Sequence, residues 1–189
     1  MSVSFPEHPF WDFSLSVYST EGVPAACLVL QDHHQVDVNV ILFCCWLGAS
    51  GRGALDAAEM AQVCESVEGW HEEIVRAVRA VRVRLKGGYP PAPQDLSDPL
   101  RSRLAKLEVE LEHVEQLVLA ASIEREVQEN RADSDRLEDS VANVDAYFTA
   151  FGAAADRDDA HQMAVILAAA FPGLDGEEVG AACAAKLVH

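Results

Sequence analysis

Basic residues are scarce in this chain. Its 189 residues include 14 lysines and arginines against 31 aspartates and glutamates, and the formal net charge is −17. None of the 14 lies in the first 51 residues. Broad nucleic-acid binding relies on Lys and Arg to neutralise phosphates, and signal or transit peptides are positively charged. The sequence therefore argues against both, and its acidity favours basic partners.

Long hydrophobic runs are also missing. The longest fully apolar stretch is Val40–Leu47, whereas a membrane-spanning helix needs about 20 apolar residues. Because the sequence shows neither a membrane span nor a positively charged targeting segment, we expect a cytoplasmic protein with no membrane partner.

No motif in the sequence fixes a reaction. A nucleophile elbow of the form G-x-S-x-G, a phosphate-binding loop and a dinucleotide-binding fingerprint are all absent. The glycine-rich segment 48–53, GASGRG, lacks the Lys-Ser/Thr pair of a phosphate-binding loop, so we interpret it as a plain loop. We therefore predict no catalytic residue and no cofactor, and the sequence leans towards a protein that is not an enzyme.

Closely spaced cysteine pairs of the CxxC type are absent as well. The five cysteines lie in apolar segments with helix-like spacing. A free cysteine behaves as a small buried hydrophobic residue. We expect five reduced cysteines in the core: Cys27, Cys44, Cys45, Cys64 and Cys183.

Apolar residues recur at three- and four-residue spacing almost throughout, alanine is abundant, and two-residue alternation is missing. This pattern predicts an all-α protein, a helical bundle of about seven to nine helices forming a single domain over residues 1–189. Asp37 or Asn39 can cap a helix that then runs through an all-apolar segment. A helix that is apolar on every side is predicted to lie at the centre of the bundle.

A linker rich in proline and glycine, residues 87–99, divides the sequence into an N-terminal half (1–86) and a C-terminal half (100–189). Two glycines and four prolines disfavour a helix across the linker, and Asp98 followed by Pro99 is a typical helix start. The linker thus predicts a long amphipathic helical hairpin.

The helix predicted after the linker carries an apolar seam over residues 100–121. Its members alternate spacings of four and three: Leu100, Leu104, Leu107, Leu111, Val114, Val118 and Ala121. Such a seam suits packing along an antiparallel helix of the same molecule, or along a second copy in a coiled-coil homodimer.

A polar cluster stands immediately before the apolar central segment. Its members are Gln31, Asp32, His33, His34, Asp37 and Asn39. The two histidines can cap the carbonyls at a helix C-terminus. Alternatively, His33, His34 and Asp37 can ligate zinc or iron, or the cluster forms a buried hydrogen-bond network that fixes a helix crossing.

Three histidines follow an acidic residue by three positions. The pairs are Glu68/His71, Glu110/His113 and Asp158/His161. This is the Glu-x-x-His spacing of di-iron four-helix bundles. Because 31 acidic residues produce such pairs readily by chance, we predict no di-iron site from them.

Basic residues gather on both sides of the linker and define a candidate anion-binding or docking patch: Arg82, Arg84, Lys86, Arg101, Arg103 and Lys106. Cations in the first turn of a helix oppose the helix dipole. They are therefore expected either to pair with nearby acidic residues or to bind an anionic ligand or partner protein.

Acidic residues are dense between Glu108 and Asp139. Such a run is typical of a solvated helix face, and a basic protein partner is the alternative.

Three segments are distinctive: FWDFSLSVY (10–18), VPAACLVLQD (23–32) and DVNVILFCCWLG (37–48). Together they resemble a bacterial family of short hypothetical proteins, the domain of unknown function 2390, and the resemblance covers about residues 5–165. It implies a helical, cytoplasmic, bacterial protein and contributes no catalytic residue.

Two functional hypotheses follow. The preferred one is a non-enzymatic protein-interaction or regulatory module that docks another protein through its charged surfaces. The alternative is a small-molecule or metal-binding protein, conceivably an enzyme, with a site around Asp32–Asn39. A cavity with convergent, unpaired side chains at that cluster would favour the second hypothesis.

Overall fold

The computed structural model of this protein describes residues 3–188. Nine α-helices account for most of these residues, and they form no β-strand. The all-α prediction is confirmed. In chain order the helices are α1 (Pro9–Tyr18), α2 (Val23–His34), α3 (Val38–Ala49), α4 (Ala57–Trp70), α5 (Arg76–Arg84), α6 (Gln94–Ser122), α7 (Asp133–Phe151), α8 (Arg157–Ala170) and α9 (Gly176–Leu187).

The central helix is α3. Asp37 is its N-cap, and the Asp37 carboxylate accepts a hydrogen bond of 2.8 Å from the backbone N–H of Asn39. From Asn39 to Gly48 every residue is buried, and α1, α6, α7 and α8 all contact the helix. The predicted central, all-apolar helix is confirmed, because its lack of a polar face is matched by neighbours on all sides.

Helix α7 crosses α3 closely at Gly48. A β-carbon on Gly48 would lie 2.2 Å from Ser140 Oγ and 2.6 Å from the carbonyl oxygen of Arg136. The Ser140 hydroxyl instead donates to the Cys45 carbonyl on the facing helix. Only glycine permits this approach of the two backbones.

Helices α4 and α5 are joined without a break by a π-helical turn, His71–Val75. A π-turn inserts extra residues into a helix and frequently occurs at functional sites. Downstream of this turn, α5 has no buried residue.

Helix α6 begins at Gln94, inside the predicted linker, and Pro99 lies within the helix. The predicted start at Asp98–Pro99 is therefore wrong. The Ser97 N–H already donates to the Pro93 carbonyl, so the first turn is complete before Pro99. One backbone donor lost to proline is a minor defect in a helix of 29 residues.

The apolar seam of α6 is buried unevenly. Leu100 and Leu107 are 50% and 41% exposed, whereas Leu111, Val114 and Val118 are partly buried. The buried residues of α6 are largely polar: Ser97, Glu108, His113, Glu115, Gln116 and Leu119. The predicted intramolecular packing along the seam thus holds only in its C-terminal part.

Within the part of the chain that the structure describes, no single helix is both long and apolar enough to cross a membrane. Helices α1 and α2 meet those criteria only as a pair that is bent by 98°.

Candidate functional site

The predicted polar cluster divides between two places in the structure. His33 and His34, at the end of α2, face α8, while Asp37 and Asn39 face α6. Asp32 is exposed and joins neither group. The cluster is therefore not one site, because the backbone turns between α2 and α3.

The histidine pair binds a buried carboxylate on α8. His33 Nδ1 lies 3.1 Å and His34 Nε2 lies 2.7 Å from the two carboxylate oxygens of Asp159, which is fully buried. Asp159 also accepts the backbone N–H of Asp156 as part of a capping box. The prediction that the histidines cap helix carbonyls is wrong, since the side chain of Gln35 bonds those carbonyls.

A second group, the buried triad, consists of Asp37, His71 and Glu115. Their exposed fractions are 7%, 8% and 0%. His71 Nδ1 lies 3.0 Å from Glu115 Oε1 and 3.1 Å from Asp37 Oδ2. One potential ligand atom from each residue lies within 4.8 Å of the other two. Imidazole with two carboxylates is a set of ligands that suits a divalent transition metal.

The triad contains a buried acceptor that lacks a donor. Nδ1 of His71 carries at most one proton, and it is hydrogen-bonded to Glu115. Asp37 Oδ2 is buried and accepts no hydrogen bond from any described residue. Such an orphaned acceptor is unfavourable unless a cation compensates it.

Each triad residue is placed by a different local feature. Asp37 is the N-cap of α3, His71 is the first residue of the π-helical turn, and Glu115 lies in the second half of α6. Three separate elements therefore supply one ligand group each. The site exists only when α3, α4 and α6 are packed together.

Three further polar side chains, Asn39, Gln116 and Tyr147, support the triad through hydrogen bonds to Glu115, to Asn39 and to the Asp37 backbone. Asn39 Nδ2 donates to Glu115 Oε2, and Gln116 Nε2 donates to Asn39 Oδ1 at 2.9 Å. The hydroxyl of Tyr147 accepts the Asp37 N–H at 2.8 Å. Supporting hydrogen bonds of this kind fix ligand orientation in metal sites.

The titration of the triad reflects its burial and its mutual charges. Desolvation alone would lower the pKa of His71, but the adjacent carboxylates of Asp37 and Glu115 raise it to about 10. Burial raises the pKa of Glu115 to about 7, with the charge of Asp37 acting in the same direction and the bond to His71 opposing it. The triad therefore retains protons near neutral pH.

His71 also lines a cleft of about 220 Å³ that opens towards solvent. Gln31, Gln35, Arg76 and Arg79 line the same cleft. Arg79 donates to Gln31 Oε1 at 2.7 Å, and Arg76 donates to Gln35 Oε1 at 3.3 Å. Val36, Ala80 and Val83 complete the lining, so one member of the triad, His71, borders an open cleft of mixed polar and apolar character.

Arginines of α5 pair with glutamates of α6 beside this cleft. Glu108 accepts hydrogen bonds from both Arg79 and Arg82, and Glu112 accepts from Arg79 at 2.6 Å. The prediction placed Arg82 in a free docking patch, but Arg82 pairs with Glu108. The interpretation of the acidic run as a solvated face is also wrong for Glu108 and Glu115, which are buried.

The other members of the predicted patch lie apart from the triad. Arg84, Lys86, Arg103 and Lys106 are exposed, while Arg101 is partly buried. Arg84 stacks on the Tyr89 ring, with its Cζ 5.2 Å from the ring centroid. None of these five cations has a carboxylate partner among the described residues.

One of the three histidines in the Glu-x-x-His pairs lies in the triad. His71 is in the triad, but with Asp37 and Glu115 in place of Glu68. The ring of His113 is stacked between Trp11 and Phe5, with centroids 3.8 Å and 4.3 Å away. His113 has a structural role there.

No curated protein and no solved structure matches the chain. Residues 9–119 match a family described as "Protein of unknown function (DUF2390)". The matched segment covers more than half of the chain and contains Asp37, His71 and Glu115, whereas Tyr147 and Asp159 lie beyond it. The chain belongs to the DUF2390 family of proteins of unknown function.

Proposed function

We propose that this protein binds a divalent transition-metal ion at the buried triad of Asp37, His71 and Glu115. The observation that supports the proposal is the convergence of three buried ligand groups around Asp37 Oδ2. Within residues 3–188 this oxygen accepts no hydrogen bond, and the nitrogen 3.1 Å from it, His71 Nδ1, is already hydrogen-bonded to Glu115. Two carboxylates and one imidazole leave a coordination position free for a ligand from the cleft, which is typical of metal sites that act on substrates.

Charge balance favours this proposal. With His71 protonated and both carboxylates ionised, the triad carries one excess negative charge in a buried place. A divalent ion that displaces the His71 proton makes the site neutral, because two positive charges then face two carboxylates. Buried charge is stable only when it is balanced in this way.

Metal and proton compete for the same imidazole nitrogen. Since the pKa of His71 is about 10, displacing its proton at pH 7 weakens metal binding by about a thousandfold. Each metal ion that binds above pH 7.5 releases one proton. The affinity therefore rises about tenfold for each pH unit between 7.5 and 9.5.

The test is titration of the metal-stripped protein with Zn²⁺ and, separately, Mn²⁺, at four pH values, by calorimetry. We expect one ion per chain and the stated pH dependence. Asp37→Asn and Glu115→Gln preserve side-chain shape, and asparagine still caps α3. Loss of a group that only supports a ligand typically weakens metal binding about 10–100-fold. Each of these variants alters a ligand itself and should weaken binding by more than that.

A matched control separates the triad from the other histidine–carboxylate group. His33→Gln with His34→Gln removes the two histidines beside Asp159, of which His33 is exposed and His34 partly buried, and should leave the affinity unchanged. Binding that survives Asp37→Asn, or that is lost in the histidine control, would overturn the proposal. So would the absence of stoichiometric binding at pH 9.5.

The proposal includes a reducing, cytoplasmic location. All five cysteines are free, and four of them are buried. Unpaired thiols are the rule in reducing compartments, where glutathione and thioredoxin prevent disulfide formation.

A further inference from the structure

Among residues 3–188, cations without carboxylate partners are concentrated in one part of the sequence. Seven of the 14 lysines and arginines pair with a carboxylate: Arg76, Arg79, Arg82, Arg125, Arg131, Arg136 and Lys186. Of the other seven, five lie between Arg84 and Lys106. The same stretch contains only two acidic residues, Asp95 and Asp98. A chain of net charge −17 thus contains a segment in which positive charge predominates.

Exposed apolar side chains are concentrated in the same place. We define residues 74–109 as the outer hairpin, which contains α5 and the first half of α6. Of the 15 large hydrophobic residues that are exposed in the described chain, eight lie in the outer hairpin: Ile74, Val81, Val83, Tyr89, Leu96, Leu100, Leu107 and Val109. Exposed apolar surface bordered by charges marks interaction sites.

The spacing of these side chains suits a helical partner. On α6, Leu96, Leu100 and Leu107 are exposed at spacings of four and seven residues, so they lie on one side of that helix. Val81 and Val83 are exposed on α5, which packs against α6. An exposed apolar stripe beside a neighbouring helix is a surface on which a further amphipathic helix packs.

A second copy of the chain is a poor occupant for this surface. A symmetric contact places the same surface on both subunits, so two surfaces that each carry Arg84, Lys86, Arg103 and Lys106 would face each other. Like charges brought together at an interface are unfavourable. The charge of the outer hairpin is complementary instead to a partner of opposite sign.

We propose that the outer hairpin docks an amphipathic α-helix of another protein, with apolar residues at heptad spacing and acidic residues on both flanks. The apolar side of that helix covers Leu100 and Leu107. Its acidic flanks pair with Arg84, Lys86, Arg103 and Lys106, which have no carboxylate partner within residues 3–188. This binding is independent of the metal site.

Two labelled synthetic peptides test the proposal by fluorescence anisotropy. Both are 21-residue helices with the same leucine heptads, and they differ only in having glutamate or lysine at the flanking positions. The acidic peptide should bind at least about tenfold more tightly than the basic one, and its affinity should fall with added salt.

Variants of exposed residues locate the binding surface without disturbing the fold. Arg103→Glu with Lys106→Glu should weaken acidic-peptide binding by about tenfold or more and reverse the peptide preference. Leu100→Asp should abolish binding of both peptides. Arg157→Glu is the matched control, because Arg157 also lacks a carboxylate partner and lies on α8, and it should bind like the wild type.

Three outcomes would overturn the proposal. The first is equal binding of the two peptides by the wild-type protein, and the second is equal weakening by the Arg157→Glu control. The third is a wild-type dimer, detected by light scattering, that Leu100→Asp converts to a monomer, because a second copy then covers the outer hairpin. Circular dichroism checks that each variant keeps its helicity.

Discussion

Asn39 donates a hydrogen bond to Glu115 across 76 residues of sequence. The bond joins the first turn of α3 to α6 and gives a fully buried carboxylate one of its few donors. It also lowers the pKa of Glu115, although burial, the larger influence, raises it. The central helix and the candidate metal site are therefore parts of one polar network.

Asn39→Ala should destabilise the protein by about 1–3 kcal/mol, because a buried carboxylate then loses a donor and no partner replaces it. Chemical denaturation in urea measures the change. Gln162→Ala is a suitable control, since Gln162 makes a single exposed hydrogen bond of 3.4 Å and its loss should change stability little. Equal effects of the two substitutions would show that the network contributes nothing specific.

The metal-free protein should lose stability as the pH rises above neutrality. The folded state raises the pKa of His71 from 6.5 to about 10. A raised pKa stabilises the folded state fully below pH 6.5, and this contribution disappears as the pH passes 10. Relative to His71→Gln, the wild type should lose up to a few kcal/mol of unfolding free energy between pH 7 and 10.

That comparison is made by urea denaturation in the presence of a chelator. Because His71 lowers the pKa of Glu115, the substitution also alters the titration of Glu115, and the difference between the two proteins reports the His71–Glu115 pair. Parallel pH dependence of wild type and variant would show that the proton on His71 does not stabilise the fold.

Gly48→Ala should be strongly destabilising. Its β-carbon would lie within 2.6 Å of Ser140 and of the Arg136 carbonyl, so α3 and α7 must separate. Overpacking of this kind typically costs about 1–3 kcal/mol. Because two of the contacted atoms belong to the backbone and cannot move aside easily, we expect a loss near the upper end of this range. Gly69→Ala on α4 has open space around it and should stabilise the protein by about 0.5–1 kcal/mol. Thermal denaturation of the two variants should shift in opposite directions.

Asp159→Ala should cost about 1–3 kcal/mol, because Asp159 is buried, completes a capping box and binds two histidines. His33→Ala should leave stability nearly unchanged, since this histidine is exposed. Denaturation of both variants at pH 6 provides the comparison. A large loss of stability in His33→Ala would show that solvent does not screen the contact between His33 and Asp159.

The cysteines should react slowly in the native protein. Burial raises the pKa of Cys27 and Cys183 to about 12 and that of Cys64 to about 11, and thiolate is the reactive form. An aromatic disulfide reagent at pH 8 should label Cys64 first, because it alone is not fully buried. All five thiols should react once the protein is unfolded. Fast native labelling of more than one thiol would contradict the predicted burial.

The parts of the fold that depend on local pattern could be predicted from the sequence. The central position of α3 follows from its run of apolar residues. The start of α3 follows from the capping residues before that run, for which the sequence offered Asp37 or Asn39. The start of α6 could not be predicted from the sequence. A proline after an aspartate is typical of the first turn of a helix, but in α6 a helical turn that begins at Gln94 is already complete before Pro99.

The candidate site could be predicted only in part. Asp37 and Asn39 stand out beside an apolar run, but Glu115 lies in an acidic stretch that looks solvent-facing. Its burial depends on His71, which is 44 residues away. The same is true of Glu108, whose arginine partners lie on another helix. Charged residues that are buried by distant partners leave no local periodic signal.

The outer hairpin also affects how the molecule behaves before any contact forms. Five of the 14 lysines and arginines lie within residues 84–106 of a chain whose net charge is −17, so positive charge is concentrated in one region of an acidic protein. Near a negatively charged macromolecule, orientations in which this region faces that macromolecule are favoured. The alignment weakens once the separation exceeds the Debye length, about 8 Å at physiological ionic strength.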